Sequence, residues 1–274
     1  LQANAVTWRS TAWQLGAVIG PAIGGILNAL IGARNSYLVD AALVTASLLA
    51  LATITFRAVP IAAPTGESTM AALTAGVRYL RRQRLLLGTM TLDLVSVLFG
   101  GAIALLPSFA ADILHVGAWG LGLLRAAPAL GAVLMAVWLS WRPPMERAGR
   151  SMLQAVAAFG VFTIVFGLSR SLWLSMAALA AAGAVDMVSV VVRSTLLQLL
   201  VPDHLMGRVT SVNQIFVGSS NEIGSFESGV TARLFGAVPA VLLGGGLTLA
   251  VVGTTARYFP ELRGVGRLDE IGPG

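Results

Sequence analysis

Six ionisable side chains interrupt otherwise apolar stretches of this sequence: Asp93, Arg125, Asp186, Arg193, Glu222 and Glu227. Three more, Arg9, Asp40 and Arg233, stand close to the ends of such stretches. A charge near the centre of a bilayer costs at least about 2.5–3.5 kcal/mol, so each deep group calls for a partner or a water-filled cavity. The chemistry open to these groups is ion pairing, hydrogen bonding, and the uptake and release of a proton. Covalent chemistry has little to work with. The chain has no Cys, which removes thiol nucleophiles, disulfides and thiolate metal sites. All 18 basic residues are Arg, so neither a Walker A phosphate loop nor Schiff-base chemistry can be built. His115 and His204 fall far apart in predicted loops, and no metal or cofactor is implied. No Ser/His/Asp set lies at one depth, so the chain is not read as an enzyme. Energy input must then come from an ion gradient or a separate subunit.

The elements that position these groups follow from composition. Of 274 residues, 56% are hydrophobic and 11% charged, with a mean hydropathy of +0.83. A soluble domain carries about 25% charged residues because its surface faces water. Here the apolar runs approach the length needed to cross about 30 Å of hydrocarbon and do not alternate, which indicates spanning helices rather than a β-barrel. Eight spans are predicted, at 9–31, 36–56, 86–110, 117–141, 151–168, 172–200, 208–233 and 237–257. The longest connection, between the second and third, holds Pro60, Pro64 and Gly66, then an amphipathic piece from Ser68 to Arg84. Arg78, Arg81 and Arg82 share one face of it, as in a helix lying at the membrane interface, although a solvated linker helix reads the same way.

Arginine asymmetry gives orientation. One set of connections holds Arg57, Arg78, Arg81, Arg82, Arg84, Arg142, Arg147, Arg150, Arg208, Arg257, Arg263 and Arg267, the other only Arg34 and Arg170. The first set and both termini are expected in the cytoplasm. The net charge of +6 is not a nucleic-acid footprint, since the arginines flank apolar runs rather than form a stripe with aromatics.

At 1.5 Å per residue, Asp93 and Arg193 each lie about 12 Å deep from the arginine-rich side. Asp186 and Glu222 come out near the midplane, about 20 Å deep, and Asp186 shares a helical face with Ser189 and Arg193. A carboxylate at that depth suits a group that takes up and releases a proton. Glu222 and Glu227 stand about 140° apart around their helix, so they do not share one site, and Asn221, Ser225 and Ser228 are at hand to satisfy them. For every member of this set the alternative is a static buried contact that fixes helix packing. Arg125, like the end residues, is expected to snorkel to the headgroups.

Two stretches align at a constant offset. Leu15–Gly25 matches Ser219–Gly229, so that Gly20 meets Gly224, Gly25 meets Gly229, and Gly32-Ala33 meets Gly236-Ala237. Such an offset, six helices long, is the layout of a transporter built from two parallel halves. Gly16-x-x-x-Gly20-Pro21-x-x-Gly24-Gly25 resembles the antiporter motif on the fifth helix of major facilitator exporters. Small residues at that spacing let helices approach closely, and the proline bends the helix. The family's more distant upstream glycine falls on Thr7. Asp186-Met187-Val188-Ser189, Arg193–Gln198, Pro202-Asp203-His204-Leu205-Met206-Gly207-Arg208-Val209 and Ser220–Gly224 are similar to the tenth and eleventh helices of the enterobactin-exporter branch, with Pro202, Asp203, Gly207 and Arg208 in its cytoplasmic loop. Leu105-Leu106-Pro107 and Gly122–Pro128 fit the same branch.

The resemblance implies an all-α polytopic bundle in which eight of twelve helices are present, numbers five to twelve, with about 120 residues preceding Leu1. Residues 1–57 are then the last two helices of one six-helix half, 58–85 a cytoplasmic linker, 86–257 the second half and 258–274 a cytoplasmic tail. A natural eight-helix chain is the alternative. The resemblance further implies proton-coupled export of a siderophore or drug-like molecule across a bacterial cytoplasmic membrane by a monomer, with Asp93, Asp186, Arg193, Asn221, Glu222 and Glu227 as coupling or cavity candidates. It makes the helices of Asp93 and Arg193 the seventh and tenth, which line the family's central cavity, so these two residues of equal depth are expected to face each other. A non-transporting membrane scaffold is the competing reading.

Overall fold

The computed structural model describes residues 2–53, 69–100, 102–142 and 145–266. Arg57, Pro60, Pro64, Gly66, Ser68 and Arg267 lie outside the described residues, as do the side chains of Thr7, Arg9, Pro21, Asp203 and His204. The described chain is helical almost throughout, and no strand occurs in it. In a bilayer every backbone N–H and C=O must be satisfied within the protein, and long apolar helices do this without help from neighbours.

The first helix, α1 (Gln2–Ala52), consists of two helical segments joined at Gly32, where φ is 76° and ψ 165°. Only glycine takes that conformation without strain. The spans predicted at 9–31 and 36–56 therefore meet at a one-residue hinge. Pro21 does not break the helix; the non-helical residue inside α1 is Gly32. After the hinge, every side chain from Tyr37 to Thr53 is exposed.

The amphipathic piece forms α2 (Thr69–Arg82). Its arginines face outward, and part of its apolar face packs on the protein itself. Leu80 is buried in a cluster with Val209 and Val212, and the Tyr79 hydroxyl donates to the Leu200 carbonyl. The helix is thus packed against the bundle end, a contact that neither reading of it anticipated.

The third predicted span, 86–110, is not one helix. α3 (Arg84–Phe99) stops at Gly100, and the chain continues as a 3₁₀ turn (Ala102–Leu105), a single turn α4 (Leu106–Ser108) and a π turn (Phe109–Ile113). Pro107, which has no N–H to donate, sits in this irregular region. Then come α5 (Gly117–Ser140), α6 (Ala148–Leu168), α7 (Leu172–Leu200), α8 (Asp203–Phe235), α9 (Ala237–Tyr258) and the short α10 (Pro260–Gly264). Gly236, with φ 93° and ψ 159°, joins α8 to α9.

Six helical stretches among the described residues are long and apolar enough to cross a membrane: Leu30–Ala52, Arg84–Ile113, Gly117–Ser140, Ala148–Leu168, Leu172–Leu200 and Ala237–Tyr258. Eight were expected. The stretch 9–31 is the helical part of α1 before the hinge. The stretch 208–233 lies in α8, which at 33 residues is long enough but interrupted by Ser219, Ser220, Asn221, Glu222, Ser225, Glu227 and Ser228.

Close backbone approach holds the centre together. A Cβ at Gly183 of α7 would collide with the Pro128 carbonyl of α5, and one at Gly131 with the Ala180 carbonyl. Without a hydrophobic drive between helices in lipid, such small-residue seams supply the packing. Buried side chains form two apolar clusters. One, near the arginine-rich ends, includes Leu86, Met152, Val192, Leu196 and Leu262. The other includes Leu106, Phe109, Leu124 and Phe166, with the Phe109 and Phe166 rings 4.5 Å apart.

Candidate functional site

Between those clusters runs a polar layer on α3 and α7. Thr89, Asp93 and Ser96 follow one another at helical spacing on α3, and all three are buried. Asp186, Ser189 and Arg193 do the same on α7; Ser189 and Arg193 are buried, and Asp186 is half-buried. Asp93 lies nine residues into α3 from Arg84, and Arg193 seven residues before the end of α7 at Leu200. The two helices run in opposite directions, so these positions reach the same depth. Arg193 Nη1 pairs there with Asp93 Oδ2, with side-chain exposures of 9% and 7%. The expected opposition of Asp93 and Arg193 is therefore present. Removing two charges from water is expensive, and their attraction offsets that only when both remain in place.

The other hydroxyls of the layer behave differently. Thr89 Oγ1 donates to the Leu86 carbonyl at 2.9 Å and Ser96 Oγ to that of Leu92 at 2.5 Å, so each is satisfied by its own helix. Ser189 Oγ, with the residue 1% exposed, has no partner among the described residues. A buried polar atom without a partner costs about 1–3 kcal/mol, and such atoms mark places where water or another group binds. Asp186 likewise has no ion-pair or hydrogen-bond partner among the described residues. Thr89 and Ser96 were not singled out from the sequence, although their i, i+4, i+7 spacing with Asp93 is legible there.

The acidic groups of α8 do not join this layer. Glu222 and Asn221 are exposed, and Asn221 Nδ2 turns back to the Val217 carbonyl at 3.0 Å. Ser225 donates to the Asn221 carbonyl rather than to a glutamate. Glu227 is held by Thr231 Oγ1 at 2.8 Å and by Ser228 Oγ at 3.5 Å. Of the three neighbours expected to satisfy the glutamates, only Ser228 does so. Thr231, one turn further along, makes the shorter contact. Arg125, Asp40, Arg34 and Arg233 are exposed.

In the glycine-rich motif of α1, Gly25 packs closely: a Cβ there would stand 2.8 Å from Gly122 Cα on α5. Gly16, Gly20 and Gly24 face no neighbour within 4 Å. The segment read as a cytoplasmic loop is mostly helix. Pro202 is the N-cap of α8, Asp203 its first residue, and Gly207 and Arg208 lie in its first two turns. The Arg208 carbonyl faces Gly76 of α2, where a Cβ would come within 2.9 Å.

Comparison with known proteins agrees with this architecture. The sequence profile of the family described as "Transmembrane secretion effector", a major facilitator family, matches residues 2–271. The "Enterobactin exporter EntS" of Citrobacter koseri is 30% identical over 212 residues, which cover 77% of this chain and 50% of that protein. The proteins of the same name from Escherichia coli O1:K1 and O157:H7 show the same identity and coverage. The chain thus spans about half the length of the curated relatives it matches. It is a multi-pass helical membrane protein, and it belongs to the transmembrane secretion effector family of the major facilitator superfamily.

Proposed function

We propose that the protein is a secondary-active exporter of a small organic molecule across the cytoplasmic membrane, coupled to proton entry. The single observation that carries this reading is the polar layer on α3 and α7 within apolar spans. A buried Asp93–Arg193 pair stands beside an unpartnered Ser189 hydroxyl and the half-buried Asp186 on the same α7 face. A helix-packing device needs the ion pair alone; it has no use for an unsatisfied hydroxyl and a second carboxylate. Asp186 takes the role of proton carrier, and Asp93 with Arg193 that of a fixed lining pair.

In this reading residues 1–57 are the last two helices of one half and 86–257 the other half. Alternating access rocks one half against the other about a site near the midplane. Asn221, Glu222 and the exposed face of α8 are the remaining cavity candidates, and Gly16, Gly20, Pro21 and Gly24 the packing face towards the other half. The arginine-rich connections, with both ends of the chain, lie in the cytoplasm, and the protein works as a monomer.

The relatives are named for enterobactin export, which makes a siderophore the first substrate to test and a drug-like amphiphile the second. The test is efflux of each from cells expressing the complete gene product, with and without a protonophore. Export abolished by the protonophore supports the proposal. Export that persists at full rate removes the proton gradient from it, and no export of either substrate class favours a scaffold.

A further inference from the structure

Two grooves flank α9 at the arginine-rich end of the bundle. The first, between α3 and α9, has a volume of about 560 Å³; its mouth carries Arg81, Arg84 and Tyr258, and its floor Leu87, Val95 and Val251. The second, between α6 and α9, has about 470 Å³, with Arg150 and Arg263 at the mouth and Leu153, Ala157 and Val252 below. Both share one design: two guanidiniums above an uncharged channel running along the helices, apolar except for Thr91, Thr254 and Thr255 in the first and Gln154 in the second. Arg257, at the tip of α9 between them, is exposed as well.

Charge at these mouths is poorly balanced. Arg84 pairs with Glu261 at 3.3 Å, with side chains 78% and 43% exposed. Arg81, Arg150, Arg257 and Arg263 have no carboxylate within ion-pair distance among the described residues. Acidic residues at this end whose side chains are described are few, Glu146 and Glu261. The floors are equally unfilled. Gly253 has nothing within 4 Å of where a Cβ would stand, and the Thr254 hydroxyl is turned inward to the Ala250 and Val251 carbonyls, at 3.0 and 2.9 Å.

We propose that each groove binds an anionic phospholipid of the leaflet on the arginine-rich side. Its phosphate sits between Arg81 and Arg84, or between Arg150 and Arg263, and an acyl chain fills the channel below. The arrangement matches the ligand at both ends: fixed positive charge at headgroup height, uncharged wall at acyl height and, in the first groove, the Tyr258 phenol at the boundary, where aromatic rings settle. A soluble anion would be held by the arginines alone and would leave the channel unused. A zwitterionic lipid would fill the channel but bring its own cation to the guanidiniums. The site is independent of the transport reading, since none of these residues belongs to the polar layer.

The test is native mass spectrometry of the complete protein in detergent, titrated with dioleoyl phosphatidylglycerol or with dioleoyl phosphatidylcholine. Two retained phosphatidylglycerol molecules and no retained phosphatidylcholine are expected. Arg81→Gln and Arg263→Gln, one per groove, should each weaken one of the two sites about five-fold, in line with the contribution of one arginine near a lipid surface. Arg170→Gln, at the opposite end of α6, should change nothing. Glycerol 3-phosphate should not displace the lipid. Equal retention of both lipids, displacement by glycerol 3-phosphate, or unaltered binding in both groove variants would overturn the proposal.

Discussion

Gly32 and Gly236 share one backbone conformation, φ 76° with ψ 165° and φ 93° with ψ 159°, and each joins two long helical segments. These are the residues that the internal alignment sets opposite each other. A chain has no local reason to place the same glycine-only hinge twice, so the match supports descent of both helix pairs from one repeated unit. The partners of the aligned glycines differ. Gly25 packs on Gly122 of α5 and Gly224 on the Leu98 carbonyl of α3, whereas their counterparts Gly229 and Gly20 have no neighbour within 4 Å.

Substituting either hinge should be expensive for the same reason. Gly236→Ala and Gly32→Ala force a Cβ into a region disfavoured by about 1–3 kcal/mol. Both should lower the midpoint of thermal unfolding in detergent, whereas Gly246→Ala, in the middle of α9 with open space around it, should not. A fully tolerated Gly236→Ala would contradict the hinge assignment.

The buried pair should show the asymmetry of paired charges. Asp93→Asn or Arg193→Gln alone leaves one charge uncompensated and should destabilise the bundle by about 3–5 kcal/mol. The double variant should recover much of that loss. A double-mutant cycle on chemical unfolding measures the coupling, and additive effects would show that the two groups do not act as a pair.

At the α5–α7 seam, Gly183→Leu drives a side chain into the Pro128 carbonyl. Overpacking of this kind costs about 1–3 kcal/mol, more where backbone rather than a flexible side chain must yield. Reduced thermal stability is expected, together with faster cleavage in the α6–α7 turn under limited proteolysis.

Ser189 separates a structural from a functional role. If its hydroxyl only lacks a partner, Ser189→Ala removes a buried unsatisfied group and stabilises the protein by roughly 1 kcal/mol. In a substrate or proton route the same change stabilises but slows export. We expect the second outcome, measured as melting temperature against efflux rate in one preparation.

Much of this was legible before any coordinates. Helix limits at 172–200 and 237–257 agree with α7 and α9 within a residue, because long apolar runs bounded by Pro, Gly and Arg leave few alternatives. The opposition of Asp93 and Arg193 followed from equal depth together with the cavity-lining place that the family resemblance gives their two helices. What the sequence hid depends on neighbours. The breakdown of the third span after Phe99 places Gly100 against the Phe159 ring, a contact no local pattern announces. Docking of α2 on the bundle end needed an apolar face on α8 that periodicity does not assign to a partner. The short α10, with Leu262 fully buried against the start of α6, sat inside a stretch read as tail. On α8, the Ser225 hydroxyl that looked available to the glutamates is claimed by the helix's own Asn221 carbonyl.

The central claim, that Asp186 carries the coupled proton, is tested most directly by reconstituting the complete protein with Asp186→Asn into proteoliposomes. Two modes are then compared: accumulation driven by an imposed pH gradient, and exchange of labelled for unlabelled substrate without a gradient. The account predicts that exchange persists while gradient-driven accumulation is lost. Gradient-driven accumulation at the wild-type rate in the Asn variant would contradict it.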